Sequence, residues 1–490
     1  MRINFISIAC NNIINLRKLL VACLLCLSAC SINPATGDRQ FTALLPAANE
    51  AKIGAEEHIK IQQEFGTFMT GKVANYVNEI GQKVARDTER KDVQYKFYVI
   101  DSPIVNAFAL PGGYIYVSRG LLTLANDESQ LAAVLGHEIG HVTARHAAER
   151  MSHGTLIGLG ASAIGIATGS QAIGQVASLG SNLYLTSYSR SQEHQSDELG
   201  VRYLSKSGYD PMAMSKFLRS LDAQSKLEAK EEGRESSSFN YFSTHPLTAD
   251  RVTQASAEGQ KYAPQNVKNR SRYLHMINGL TYGDSAEQGF ARGNIFYHPT
   301  IGFRFSVPNG MTIKNSPSAV TAAHANGSFV AFDQGKDKGK SDPATYLSRI
   351  WLKGEKNTPI KQTTIHGMRA AMTSFDGTVN NRQVTIQLVA IEWAAGEFFR
   401  FQIATPRGVS QSFIASLQKT PLSFRRLSTA EKENVRPKRL IILEAPTGST
   451  VQSMAAKMKI DGNKVEKFLV LNGMFSGEKI IASQPYKIVI

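Results

Sequence analysis

His137-Glu138-Ile139-Gly140-His141 is the stretch that decides how this chain reads, because it sets two imidazoles and a carboxylate at helical spacing. Residues four apart share one face of an α-helix. His137 and His141 can therefore each offer a ring nitrogen to one metal ion. Glu138 stands about 100° around the helix and can reach the fourth coordination position, where a water would sit. That arrangement suits metal-assisted hydrolysis of a peptide bond. The bland alternative is two histidines on a polar helix face.

The flanks argue for a buried helix. Asp127 reads as its N-cap, with Gln130 placed to close a capping box. Leu131, Val134, Leu135 and Val142 recur at the spacing of a packed face. Gly136 and Gly140 each weaken a helix by about 1 kcal/mol relative to Ala, a cost that makes sense where a neighbouring backbone comes close. His146 falls about half a turn from His137 and reads as an ordinary polar residue of the same helix.

A catalytic zinc needs three protein ligands and an open position. A third histidine just downstream would have to be preceded by a glycine, but Ala144 and Ala147 hold those places. A carboxylate from a later helix is the other route. Ser191 to Gly200 reads as that helix, continued by Val201, Tyr203 and Leu204. Glu193 and Asp197 share one of its faces. The first can bind the metal while the second accepts a hydrogen bond from a ligand histidine and fixes its tautomer. Glu198 points elsewhere, as does His194, which becomes an alternative ligand only if the helix is rotated. Standing alone, such a segment would read as a solvated charged face.

Taken together, these pieces resemble the zinc gluzincin peptidases of family forty-eight, which include the HtpX-like and BepA-like bacterial proteases. The resemblance rests on Asn106 to Gly113, the His137–His141 helix, the Glu193–Asp197 helix, and Thr244-His245-Pro246 before Arg251. It covers roughly residues 45 to 260. It implies one Zn²⁺ held by His137, His141 and Glu193, with Glu138 as general base. It also implies that Asp197 partners a ligand or donates a proton, and it brings His245 near the metal. His245 can then donate to the oxyanion of the tetrahedral intermediate, or fill the open zinc position and hold the site inactive. A structural histidine beside a proline turn is the third possibility.

Gly113 to Ser118 alternates and is rich in β-formers, so it reads as a strand. In peptidases of this kind such a strand lies beside the active-site helix and adds an extended substrate as a further strand. That role requires it to be an edge; otherwise it is a core strand. Between the metal helices, Gly154 to Gly180 is dense in Gly, Ala, Ile and Leu. Its Thr155 to Ile166 run is too short and glycine-rich for a membrane span, which needs about 20 residues, and the whole reads as two tightly packed helices, with a membrane-contacting hairpin as the minor alternative.

All four cysteines, Cys10, Cys23, Cys26 and Cys30, lie within the first thirty residues. Arg17 and Lys18 precede a short apolar run, and Leu27-Ser28-Ala29-Cys30 looks like a bacterial lipobox. The expectation is a signal peptide over 1–29 and lipidation of Cys30, with a plain secretory signal as the alternative. Ser31 after Cys30 favours the outer membrane by resemblance to lipoprotein sorting. The mature chain would then have no cysteine free for a disulfide. Removing Arg2, Arg17 and Lys18 lowers the formal charge from +15 to +12. That balance suits anionic lipid and cell-wall polymer. Nucleic acid is excluded as a partner by export and by the lack of a basic-aromatic motif.

The fold expected is α+β. A mainly helical zincin peptidase domain with a small β-sheet spans 30–278, and an α+β antiparallel-sheet domain of unassigned role spans 294–427. A small LysM-like module spans 436–490. In the second domain Asp342-Pro343 caps a helix carrying Tyr346, Leu347, Ile350 and Trp351. Val384, Ile386 and Leu388 alternate, as do Phe399, Phe401 and Ile403. Arg425 to Arg439 reads as a charged linker. The tail either binds cell-wall glycan or is a structural cap. The function expected is a lipid-anchored periplasmic zinc endopeptidase for misfolded or unassembled envelope proteins. The alternative is a chaperone or peptidoglycan-binding scaffold with a latent site.

Overall fold

A computed structural model describes residues 30–490 except positions 44, 67, 154–186, 233–240, 247, 248, 266, 317, 355–357, 380 and 381. The expectations for the signal peptide and for the Gly154–Gly180 helices lie outside the described residues. The chain forms two compact units, one running to Leu280 and resuming over Arg439–Ile490, the other spanning Thr281–Lys438. No described helix is long and apolar enough to cross a membrane.

The first unit opens with a hairpin, β1 (Cys30–Ile32) and β2 (Arg39–Phe41), in which Cys30 faces Phe41. Helices α1 (Ala47–Phe65) and α2 (Lys72–Ala85) follow. A three-stranded sheet comes next: β3 (Lys96–Ile100), β4 (Ala107–Leu110) and β5 (Tyr114–Ser118), in the order β3-β5-β4. Strand β5 runs parallel to β3 and antiparallel to β4. The Gly113–Ser118 segment is thus a central strand, paired on both sides and buried throughout, and cannot add a substrate. Strands β3 and β4 are the edges, and β3 is met on its outer side by a bridge from Met69 to Val99. Sequence alternation identifies a strand but not its neighbours, which depend on the chain's return path.

Ser118 caps the short helix α3 (Arg119–Leu124), and Asp127 caps α4 (Glu128–Thr143) by accepting from the Gln130 amide. The expected capping box is not closed, because Gln130 Oε1 accepts from the Asn126 amide instead. All sixteen residues of α4 are buried, so the helix has no solvated face. Helix α5 (Arg190–Lys206) starts from a complete Ser189–Gln192 capping box and crosses α4 at its glycines. A Cβ on Gly136 would stand 3.2 Å from the Gly200 carbonyl oxygen, and one on Gly140 would stand 3.1 Å from that of Ser196. This close crossing is the reason for the glycines, and it brings Glu193 and Asp197 against the two histidines.

Helices α6 (Ala213–Glu232), α7 (Tyr241–Thr244), α8 (Ala249–Gln260) and α9 (Arg270–Ile277) complete the helical part. The C-terminal segment is β-α-α-β, with Lys438–Glu444 antiparallel to Pro485–Val489 around helices Val451–Ala456 and Lys464–Leu471. From Arg439 onward it belongs to this first unit. Its Lys487 is fully buried and donates to the carbonyls of Thr123, Leu124 and Ala125 at 2.8, 3.2 and 2.9 Å. Those are the acceptors that the end of α3 leaves unpaired.

In the second unit a seven-stranded sheet runs in the spatial order 312–315, 320–323, 329–336, 397–406, 382–394, 368–379 and 361–365, antiparallel between every pair of neighbours. A four-stranded sheet is built from Arg425–Arg426, Phe303–Ser306, Ile295–His298 and Phe290–Arg292. The Arg425–Arg439 stretch therefore begins in a sheet and continues as helix Thr429–Asn434, rather than being only a linker. Alternation holds where expected: Phe399, Phe401 and Ile403 point into one aromatic core with Phe303, Phe305 and Phe332. The helix capped by Asp342 covers only Pro343–Thr345 before its turns widen to a π-helix over Tyr346–Trp351.

Candidate metal centre

One face of α4 presents His137 and His141, α5 presents Glu193, and the turn after α7 presents His245. Each offers an atom to a cluster whose members lie within 4.8 Å of one another. Nε2 of His141 is 3.0 Å from Nε2 of His137, which is 3.3 Å from Nδ1 of His245. Glu193 Oε1 is 3.3 Å from His141 Nε2 and 3.0 Å from His245 Nδ1. Tetrahedral zinc with bonds of 2.0–2.1 Å separates its donors by about 3.3 Å. The spacing and the nitrogen-oxygen donor set both fit a zinc ion. All four residues are buried.

Glu138 lies beside the cluster. Both its carboxylate oxygens are buried without a hydrogen-bond partner among the described residues, and His245 Nε2 stands 3.5 Å from Oε1. Burial pushes the Glu138 pKa up. A carboxyl in this position can take a proton and return it.

Two different arrangements hold the histidines. His137 donates from Nδ1 to Asp197 Oδ1 at 2.9 Å. Arg251, fully buried, grips Asp197 with Nε and Nη2 at 2.8 Å each, and its Nη1 lies 2.6 Å from Glu193 Oε2. Burial works against charge on Asp197, but Arg251 outweighs it and holds the carboxyl below its usual range. Burial likewise opposes charge on Glu193, and His245 and His137 overcome it.

His141 meets no charge on its outer side. Its Nδ1 lies 2.8 Å from Nδ1 of His146, whose Nε2 lies 2.8 Å from Gln195 Oε1. Burial holds His146 neutral by pushing its pKa down to about 4. Tyr188 stacks on the His141 ring at 3.6 Å, and Tyr241 stacks on His245 at 4.4 Å.

His146 is thus not the ordinary helix residue its spacing suggests. Helix α4 ends at Thr143, Arg145 turns left-handed at φ 58°, and residues 146–153 turn helical again. The turn folds a residue five places on back against His141. Arg251, read from sequence only as the end of a motif, is the second residue whose contacts were missed. His194 points away, to Asp250 at 3.3 Å. Cys30 begins β1; residues 27–29 of its lipobox lie outside the described residues.

Comparison with known proteins places the same region in context. The pattern of Peptidase family M48 matches residues 72–258. The putative β-barrel assembly-enhancing protease of Vibrio cholerae is 31% identical over 233 residues, 44% of this chain and 46% of that one. Metalloprotease LoiP of Escherichia coli is 31% identical over 186 residues, 36% of this chain and 68% of its own length. The mitochondrial metalloendopeptidase OMA1 of Schizosaccharomyces pombe is 28% identical over 211 residues, 41% of this chain and 59% of that one. The chain spans less than half the length of the β-barrel assembly-enhancing proteases it matches.

Proposed function

We propose that this chain, which belongs to peptidase family M48, is a zinc endopeptidase acting on extended polypeptides of the bacterial envelope and held latent by His245. The observation that carries the reading is the buried cluster of His137, His141, Glu193 and His245, with the Glu138 carboxylate beside it, free of hydrogen bonds among the described residues. Zinc held there supplies Lewis acidity, polarising a peptide carbonyl and making water nucleophilic near neutral pH.

The chain's own groups supply the rest. An extended substrate pairs with the free edge of β4, and backbone pairing of this kind does not select side chains. Glu138 takes a proton from the attacking water as its oxygen bonds to the carbonyl carbon. The same carboxyl then returns the proton to the amide nitrogen as the C–N bond breaks. Asp197 keeps the His137 proton on Nδ1, which leaves Nε2 free for the metal.

His245 acts as the fourth donor in the closed state. Its backbone amide donates to Tyr241 at 2.8 Å, and the Tyr241 amide donates to Val105, just before β4, at 3.0 Å. The segment that delivers the histidine is therefore pinned beside the substrate edge, and releasing it would free both. The wider setting follows from the lipobox reading: a lipid anchor at Cys30, the periplasmic side of the outer membrane, and misfolded or unassembled envelope proteins as substrates. The β-α-α-β tail is compatible with peptidoglycan contact.

The full burial of the site also suits a chaperone or scaffold whose peptidase is idle. Casein cleavage separates the readings. Zinc-loaded wild type cleaves, Glu138→Gln binds zinc but does not cleave, and His245→Ala cleaves faster than wild type. Equal residual cleavage by wild type and Glu138→Gln would overturn the enzyme reading. Loss of cleavage in His245→Ala would make His245 a transition-state donor rather than a gate.

A further inference from the structure

Beyond His146 the neutral chain continues to the start of the described protein. Gln195 Oε1 accepts from His146 Nε2 at 2.8 Å and from Asn33 Nδ2 at 3.3 Å. Asn33 is buried, and its Nδ2 also lies 3.3 Å from the Ala144 carbonyl, in the turn that ends α4. Its own Oδ1 accepts from the Ala35 and Thr36 amides at 2.9 and 3.3 Å, and its backbone amide donates to Asp38 at 2.7 Å. The residue is thus locked into the loop of the β1–β2 hairpin while its amide group points toward the metal ligands.

Arg145 ties the same hairpin to the turn between His141 and His146. Its Nη1 lies 3.2 Å from Thr42 Oγ1 and 3.5 Å from Ser31 Oγ, while Nε pairs with Glu50 at 2.7 Å. Two independent sets of contacts therefore fasten residues 31–42 to the end of the active-site helix.

Proton positions along the chain are determined from one end to the other. His141 offers Nε2 to the metal cluster, so its proton sits on Nδ1 and is donated to Nδ1 of His146. His146 must then carry its proton on Nε2 and give it to Gln195 Oε1. Gln195 presents its oxygen there because Asn33 offers its NH₂ group, two amide oxygens being unable to bond to each other, and because Gln195 Nε2 donates on its other side to Asp38 Oδ2 at 3.4 Å. From this geometry we infer that Asn33, Gln195 and His146 are positioning residues for the His141 ligand, and that the N-terminal hairpin is a working part of the zinc site.

The inference rests on His141 being a zinc ligand, so its test carries a separate arm for that premise. Zinc affinity of the full chain is measured by competition with a chromophoric chelator, and the site is read independently through the visible absorption of Co²⁺. His146→Phe keeps the ring volume but removes the acceptor, and its zinc affinity falls about 10- to 100-fold, the usual range for a lost outer partner. Asn33→Asp keeps the Oδ1 that the hairpin loop needs but removes the donor to Gln195. Its zinc affinity falls by a smaller factor in the same direction, with a shifted cobalt spectrum. His146→Gln, which restores an acceptor, recovers part of the loss.

Should His146→Phe fail to fold, Asn33→Asp and His146→Gln decide. Wild-type zinc affinity and an unaltered cobalt spectrum in Asn33→Asp and in whichever His146 variant folds would overturn the inference. His137→Ala keeps the two outcomes apart: if it too holds zinc like wild type, the metal-site reading fails rather than the relay.

Discussion

His137 and His141 sit one turn apart on the same buried helix, yet the protein holds them by opposite means. On the His137 side the outer partners are ions: Asp197, gripped by Arg251, which also meets Glu193. On the His141 side the buried partners are neutral, from His146 through Gln195 to Asn33, and charge is met only at the exposed end, where Gln195 Nε2 donates to Asp38 at 3.4 Å. Buried ions are expensive to separate, because each one left alone keeps its desolvation cost. A neutral chain costs less to break but depends on direction, because each member must donate one way and accept the other. The charged side thus bears on whether the site exists, and the neutral side tunes how well it grips.

The largest expected effect comes from breaking the charged side. Arg251→Met strands the carboxylates of Asp197 and Glu193 in the interior. Chemical denaturation should show a loss of about 3–5 kcal/mol, the range for removing one partner of a buried ion pair. A loss under about 1 kcal/mol would mean the two sides are not different in kind.

Next comes a buried neutral histidine with no metal nearby. In the second unit His298 accepts from the Ile301 amide at 3.3 Å, and burial pushes its pKa down to about 4. The folded state therefore binds fewer protons than the unfolded chain between the unfolded value, near pH 6.5, and pH 4. Its contribution is present above that unfolded value and is lost as pH falls through this window, on the order of 3 kcal/mol in all. Both tryptophans of the chain, Trp351 and Trp393, lie in this unit, so their fluorescence follows its unfolding. His298→Phe should flatten the pH dependence, and an unchanged slope would remove His298 from the account.

The neutral relay comes after that. His146→Phe, with its 10- to 100-fold weaker zinc binding, corresponds to about 1.4–2.7 kcal/mol. Asn33→Asp should be smaller still. If Asn33→Asp cost as much as Arg251→Met, polarity rather than charge would be what the site depends on.

What could be read from sequence divides along the same line. His137, His141, Glu193 and Asp197 all lie on continuous helices, where spacing alone fixes the shared face, and the four were legible for that reason. The glycines of α4 were legible as a close crossing, though the partner Gly200 was not. His146 was hidden because helical periodicity was carried past Arg145, whose left-handed turn nothing in the sequence marks. Asn33 and Arg251 were hidden for a different reason: contacts across more than fifty residues depend on the path of the chain, not on any period. The same limit left β5 open between edge and core, and the return of β4 along its far side makes it central. In the second unit the alternation of Phe399, Phe401 and Ile403 sufficed to orient its strand, because the period of a strand is local.

The central claim is a zinc site closed by its own fourth ligand, and anomalous diffraction at the zinc edge from crystals of the full chain tests it most directly. The account predicts one zinc ion per chain, bound by Nε2 of His137, Nε2 of His141, a carboxylate oxygen of Glu193 and Nδ1 of His245. Zinc held by the first three with His245 turned away would contradict the closed state, and no zinc at these residues would contradict the site itself.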